Sequence, residues 1–184
     1  MSRVELVEVE GADRLLRRMF GQMEKSYGAV PYTARALAQI PSFVSNVAGL
    51  GSIEFHEGEL PMPLKLIAKL RVAQLNKCAF CIDSGTARAQ KEGLTSDKIQ
   101  ALSHPNALEQ ASWSDEEQLI LQFTDASARM EVSDALFAKM KEHFSEPQMI
   151  ELTAQIAVET FYNVINHSLG IQSQGFCSLP NTGE

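Results

Sequence analysis

The chain has few cysteines, few basic residues and no long apolar run. Three cysteines among 184 residues is an odd, low number, which excludes a secreted scaffold stapled by paired disulfides. No apolar segment approaches the ~18 residues of a membrane-crossing helix. The opening MSRVELVEVEG is charged from the start, without the apolar stretch of a secretory leader. These absences predict a soluble, cytoplasmic protein whose close cysteines sit in a reducing compartment. There, such a pair is more often catalytic or metal-binding than structural. Lysine and arginine total 16 against 23 acidic residues, a formal charge of −7. The basic cluster Arg14, Arg17 and Arg18 has i, i+3, i+4 spacing and reads as the solvated side of a helix. A nucleic-acid binder needs a basic face, so neither nucleic acid nor membrane is expected as a partner.

What the chain does have is helical periodicity. Hydrophobic residues make up 45% and charged residues 21%, enough for the packed core of one ordinary domain. Leu15, Leu16, Met19, Phe20 and Met23 form one stripe, ended by Gly28 and Pro31. Residues 32–48 read as a helix with a kink at Pro41, and 49–63 as an irregular loop with three glycines and two prolines. Helical spacing returns at 64–75. A further helix starts at Cys78 and stops at Gly93, a residue suited to the position past a helix end. Thr95 caps a short helix from Ser96 to Leu102. Ser114 and Glu117 form a capping box that opens a helix to about Arg129. Ser133 caps 134–144, and Ser145 with Pro147 opens the last long helix, ending near Gly170. The tail IQSQGFCSLPNTGE is polar and expected to be extended. No alternating strand pattern is found, so the fold class is all-α.

Cys78 and Cys81 stand two residues apart in QLNKCAFCIDSGT. On a helix starting at Cys78 they share a face with Gly85. A pair at a helix start can close a disulfide with little backbone change, and exposed N–H groups and the helix dipole favour a thiolate there. Lys77 adds positive charge, while Asp83, placed in the first turn, opposes it. By this argument Cys78 is the more acidic and exposed thiol. Two buried structural cysteines would show the same pattern. Zinc would need two further ligands, and His56, His104, His143 and His167 offer no ligand-type spacing. No metal or cofactor is expected.

The stretch KLRVAQLNKCAFCIDSGTARAQKEG resembles the core of the carboxymuconolactone decarboxylase family, in particular its AhpD-like alkylhydroperoxidase branch. The segments YGAVPYTARALAQIP and HFSEPQMIELTAQIAVETFYNVINHSLGI are similar to the same family. The resemblance covers about residues 28–172. It divides the chain into an N-terminal helical arm (1–27), an AhpD-like domain (28–172) and a C-terminal tail (173–184). It implies an oligomeric AhpD-like helical bundle, a trimer or hexamer of identical chains. It also implies an antioxidant thiol peroxidase or disulfide reductase acting on a hydroperoxide, with a thiol reductant or partner protein. In that scheme Cys81 is peroxidatic and Cys78 resolving.

Two positions depart from the family pattern. The family motif C-x-x-C-x-x-x-H places a histidine where this chain has Gly85. Twelve residues before the first cysteine the family has a glutamate, where this chain has Leu66. Together they deprotonate the attacking thiol, and general-base help of this kind contributes roughly 10²–10⁴-fold. Glycine inside a helix costs about 1 kcal/mol relative to alanine, so the missing side chain at 85 leaves room for a substrate or another side chain, or reflects drift. Candidate relay substitutes are His56 and Glu54, in the 49–63 loop with Glu57 and Glu59, and His167, sharing a helix face with Asn163 and Asn166. Ser84 is a candidate hydrogen-bond partner of Cys81, and Cys177 reads as a bystander. The alternative to an enzyme is a non-catalytic or redox-sensing oligomeric member. A decarboxylating lyase is a third reading, against which the retained cysteine pair argues.

Overall fold

The computed structural model describes residues 2–54 and 56–178. Among the described residues there are nine α-helices and no strand, as the periodicity predicts. They are α1 Arg14–Tyr27, α2 Tyr32–Leu37, α3 Pro41–Glu54, α4 Met62–Leu75, α5 Ala79–Lys91, α6 Ser96–Ala101, α7 Asp115–Ala128, α8 Asp134–His143 and α9 Glu146–Leu169. None is long and apolar enough to cross a membrane.

Local chemistry explains most boundaries. The side chains of Ser114, Ser133 and Ser145 each accept the backbone N–H three residues on, satisfying donors that have no partner inside the helix. Ser114 with Glu117 and Ser145 with Gln148 form reciprocal capping boxes. Gly170 closes α9 at φ 65°, a left-handed conformation glycine adopts without penalty.

Two expectations for the N-terminal third are corrected. Residues 32–48 are not one kinked helix. α2 stops at Leu37, and Pro41 opens α3, where its lack of an N–H costs nothing. The expected loop at 49–63 is helical up to Glu54. Gly51 is tolerated there because α3 lies against α9: a Cβ at Gly51 would stand 3.3 Å from the Tyr162 hydroxyl. Tertiary packing has overridden weak local propensity.

α4 is the central element. It packs on α5, α7 and α9, and its residues from Leu64 to Ala73 are buried except for the half-buried Lys69. Its apolar side chains join those of α7 and α9 in the main core. The same helix also carries three cations inward, each met by acid from another helix, because a buried charge without a partner is costly. Lys65 pairs with Glu151 at 2.6 Å and Arg71 with Asp125 at 2.6 Å. Lys69 meets two carboxylates, Glu54 at 2.8 Å and Glu159 at 3.5 Å. A second cluster joins α1, α2 and the start of α3, built on Leu16, Phe20, Val30 and Val44.

The tail is not simply extended. Residues 171–178 fold back over α5 and end in a 3-10 turn, Phe176–Ser178. The rest of the expected tail lies outside the described residues.

Candidate functional site

The joint between α4 and α5 sets the thiols. α4 is capped by Asn76, and Lys77 takes φ 52°, an uncommon left-handed conformation for a side chain other than glycine. This turn delivers Cys78 as the N-cap of α5, not as its first helical residue. Its sulfur accepts the Cys81 N–H at 3.4 Å. Cys78 and Cys81 are joined by a disulfide with Cα atoms 5.3 Å apart. Both are buried, at 2% and 3% exposure, so exposure does not single out Cys78 as expected. Asp83 is not in the first turn and faces the tail.

Cys81 opens on a cavity of about 330 Å³, to whose wall Cys78 does not contribute. Its lining includes the apolar Met19, Met23, Val44 and Phe80. It also includes Glu54, Lys69, Glu159, Tyr162, Asn166 and Ser84. Asn166 donates its amide to the Cys81 sulfur at 3.3 Å, and its carbonyl oxygen accepts the Thr33 hydroxyl at 2.6 Å. One turn back on α9, Asn163 donates to the Glu159 carboxylate and accepts from Asn76 at 3.0 Å.

Burial works against the charge of Glu159 first of all. Attraction to Lys69 offsets this in part, repulsion from Glu54 adds to it, and the carboxyl is pushed up to about 7. Burial also opposes the charge of Lys69, but attraction to Glu54 and then Glu159 outweighs it and raises that ammonium. The Tyr27 phenol is pushed up to about 12 and that of Tyr162 is raised, both by burial first and by Glu54 second.

The candidate substitutes for the family relay separate here. Glu54 reaches the cavity as the last residue of α3. His56 and His167 do not. Both are exposed, and His56 contributes a carbonyl oxygen to Lys65 at 2.7 Å. Glu57 and Glu59 are exposed too. Of the stripe on α9, Asn163 and Asn166 are buried while His167 faces outward. Ser84 donates to the Cys81 carbonyl oxygen at 3.4 Å, not to its sulfur.

The space beside Gly85 is already filled. A Cβ there would stand 2.9 Å from Leu70 Cδ2 and 3.7 Å from Lys69 Cε. The glycine lets α5 approach α4, so it serves packing and leaves no room for a substrate. Leu66 is buried in the main core. Cys177 is more than a bystander. Burial and its hydrogen bond to Asp83 raise its thiol, which donates to the Asp83 carbonyl at 3.3 Å. The Asp83 carboxylate accepts backbone N–H groups from Gln174, Gly175, Phe176 and Cys177 and the Ser173 hydroxyl. Burial opposes its charge, but these bonds outweigh burial and hold the carboxyl below its usual range. Phe176, fixed in this way, meets Phe80 edge-on at 5.7 Å and lines the cavity.

The sequence reading missed Lys69 and Glu159. A signal was present. Glu159 interrupts the apolar run IAVETF, and Lys69 stands in LIAKLRV. Charges in the middle of buried helical stretches call for partners.

Comparison with known proteins places the family and the fold. The profile of the carboxymuconolactone decarboxylase family matches residues 41–112. The uncharacterized protein YdfG of Bacillus subtilis is 33% identical over 107 residues, 56% of this chain and 71% of that protein. The uncharacterized protein YnjA of Escherichia coli is 28% identical over 170 residues, 90% of this chain and 92% of that one. An uncharacterized peroxidase-related protein from Ralstonia eutropha with an alkylhydroperoxidase AhpD core superposes with TM-score 0.86 at 18% identity, covering 100% of this chain and 98% of that one. The debrominase Bmp8, in complex with 2,3,4-tribromopyrrole, superposes with TM-score 0.82 at 19% identity, covering 95% and 92%. The chain belongs to the carboxymuconolactone decarboxylase family and has the fold of its AhpD-like members.

Proposed function

We propose that the protein is a thiol-dependent oxidoreductase of the antioxidant type that reduces hydroperoxides through Cys81 and Cys78. The observation that carries this reading is a disulfide-forming pair at a helix start, with one cysteine lining a cavity of about 330 Å³. The Cys81 thiolate attacks the terminal oxygen of ROOH, the O–O bond breaks and the alcohol leaves with a proton. The sulfenic acid on Cys81 is then attacked by Cys78. The S–O bond breaks, water leaves and the disulfide forms. A dithiol reductant or partner protein restores the pair by exchange. The cavity supports these roles, since Cys81 lines it and Cys78 does not.

Two features support Cys81 as the attacking thiol. It lies in the first turn of α5, where free N–H groups and the dipole favour negative charge. The Asn166 amide adds a hydrogen bond to the sulfur. A second reading is favoured by the apolar residues of the cavity lining, which suit a halogenated ring such as the one seen in Bmp8.

The test is stopped-flow consumption of cumene hydroperoxide by the reduced protein, with mass spectrometry of the peptide holding both cysteines. Wild type is expected to consume peroxide and lose two hydrogens within that peptide. Cys78→Ser should stop at the sulfenic acid, and Cys81→Ser should consume none. Equal rates for wild type and Cys81→Ser would instead favour a non-catalytic or redox-sensing protein.

A further inference from the structure

Lys65 and Arg71 show how this fold buries a cation for stability. Each has one carboxylate, and each also donates to backbone carbonyls: Lys65 to His56, and Arg71 to Leu102, His104 and Pro105. Lys69 differs in two respects. It meets two carboxylates, so the buried group carries one acid more than it has cations. It also sits on the wall of the cavity that Cys81 opens on. A stabilising ion pair needs neither feature, and surplus buried carboxylate is costly. Two acids sharing one cation in a desolvated site retain a proton between them.

α9 carries this surplus and the partner of the thiol on one face. Glu159, Asn163 and Asn166 stand at i, i+4 and i+7, one face of a helix. Asn163 holds the Glu159 carboxylate, and Asn166 holds the Cys81 sulfur. The rise of a helix sets the Cα atoms of 159 and 166 about 10 Å apart. A hydroperoxide attacked in line by the sulfur presents its leaving oxygen on the far side from it. Glu159, 1% exposed, lines the same cavity that Cys81 opens on.

We propose that Glu159, held by Lys69, Glu54 and Asn163, is the proton-transfer group of the peroxide half-reaction, taking the place of the glutamate and histidine absent at Leu66 and Gly85. Resting on the thiol-redox reading, it extends that reading to the proton. The Glu159 carboxylate takes the Cys81 thiol proton as the peroxide binds. The thiolate then attacks, the O–O bond breaks, and the carboxyl returns the proton to the leaving alkoxide. The sum is Cys81–SH plus ROOH giving Cys81–SOH plus ROH, with Glu159 unchanged. A carboxyl held near neutrality suits both directions of transfer. The charged and titratable groups facing it are Lys69 on α4, Glu54 on α3 and Tyr162 on its own helix, with Tyr27 on α1 beside Lys69 and Glu54.

The experiment is single-turnover reduction of cumene hydroperoxide by the reduced protein across pH, with iodoacetamide alkylation of Cys81 as a second profile. In wild type both should show a transition near pH 7. Glu159→Gln keeps size and burial and leaves Lys69 paired with Glu54. It should lower the peroxide rate by about 10²-fold and abolish that transition. Glu54→Gln removes the acid that repels Glu159, so the transition should move to lower pH. Its shift decides the matter even if Glu159→Gln does not fold. A folded Glu159→Gln with wild-type rate and profile, or an unmoved transition in Glu54→Gln, overturns the role of Glu159 while leaving the cysteine chemistry standing. Wild type that consumes peroxide no faster than Cys81→Ser overturns both, and that outcome is read from the cysteine variant alone.

Discussion

The Asn166 amide stands 3.3 Å from the Cys81 sulfur, and its other end is tied to the Thr33 hydroxyl at 2.6 Å. Thr33 donates to the amide oxygen, and the amide N–H points at the sulfur. A residue of α2 thereby orients a residue of α9 onto a thiol of α5.

Replacing that amide should be felt in the chemistry more than in the fold. Hydrogen bonds to charged groups contribute about 1.5–3 kcal/mol, so Asn166→Ala should make the Cys81 thiolate harder to form. The expected outcome is an alkylation rate for Cys81 at neutral pH lower by about tenfold or more. Alkylation rates against pH in the reduced protein check this. A rate equal to wild type would remove Asn166 from the site.

Restoring the family residues at positions 66 and 85 should not restore a relay. A histidine at 85 must displace Leu70, whose Cδ2 lies 2.9 Å from where the Cβ would stand and which is 1% exposed. Overpacking of this kind costs about 1–3 kcal/mol. A glutamate at 66 would place a charge in the main apolar core, a larger loss unless it stays protonated. Gly85→His should therefore lower the urea midpoint, and Leu66→Glu with Gly85→His should lower it further without raising the peroxide rate. A folded double variant with a faster rate would show that α4 and α5 separate more readily than their packing implies.

The tail should come loose in acid. The folded Asp83 carboxyl lies below its unfolded value of about 3.9, because tail N–H groups bond its ionised form. Its contribution is therefore complete above that unfolded value. It is lost as pH falls through the lower folded one. Asp83→Asn should mimic the loss at neutral pH by removing the charge that four backbone N–H groups share. Amide exchange over residues 173–177 should rise in that variant. It should rise in wild type only as pH falls below the unfolded carboxyl value. Exchange in Asp83→Asn that matches wild type at pH 7 would refute the strap.

Features set by a few neighbouring residues were legible without coordinates. The caps at Ser114, Ser133 and Ser145 and the stop at Gly170 each depend on bonds spanning three to five residues. The C-x-x-C pair depends on spacing within one turn, and its disulfide follows. The all-α class followed from periodicity. Reading 49–63 as a loop holds for 56–61 but failed for 49–54, because glycine propensity is a local penalty of about 1 kcal/mol and packing of α3 on α9 outweighs it. The cavity wall was beyond local reading. Glu54, Lys69 and Glu159 come from three helices, the first and last 105 positions apart (159 minus 54). Chain order brings no two of them within a helical turn. They meet because α4 is buried on nearly every side and its cations must find acids wherever packing brings them. Caps and thiol spacing act over one turn and are carried by the sequence alone. The partner of a buried charge is chosen by which helix faces touch, and only the tertiary structure decides that.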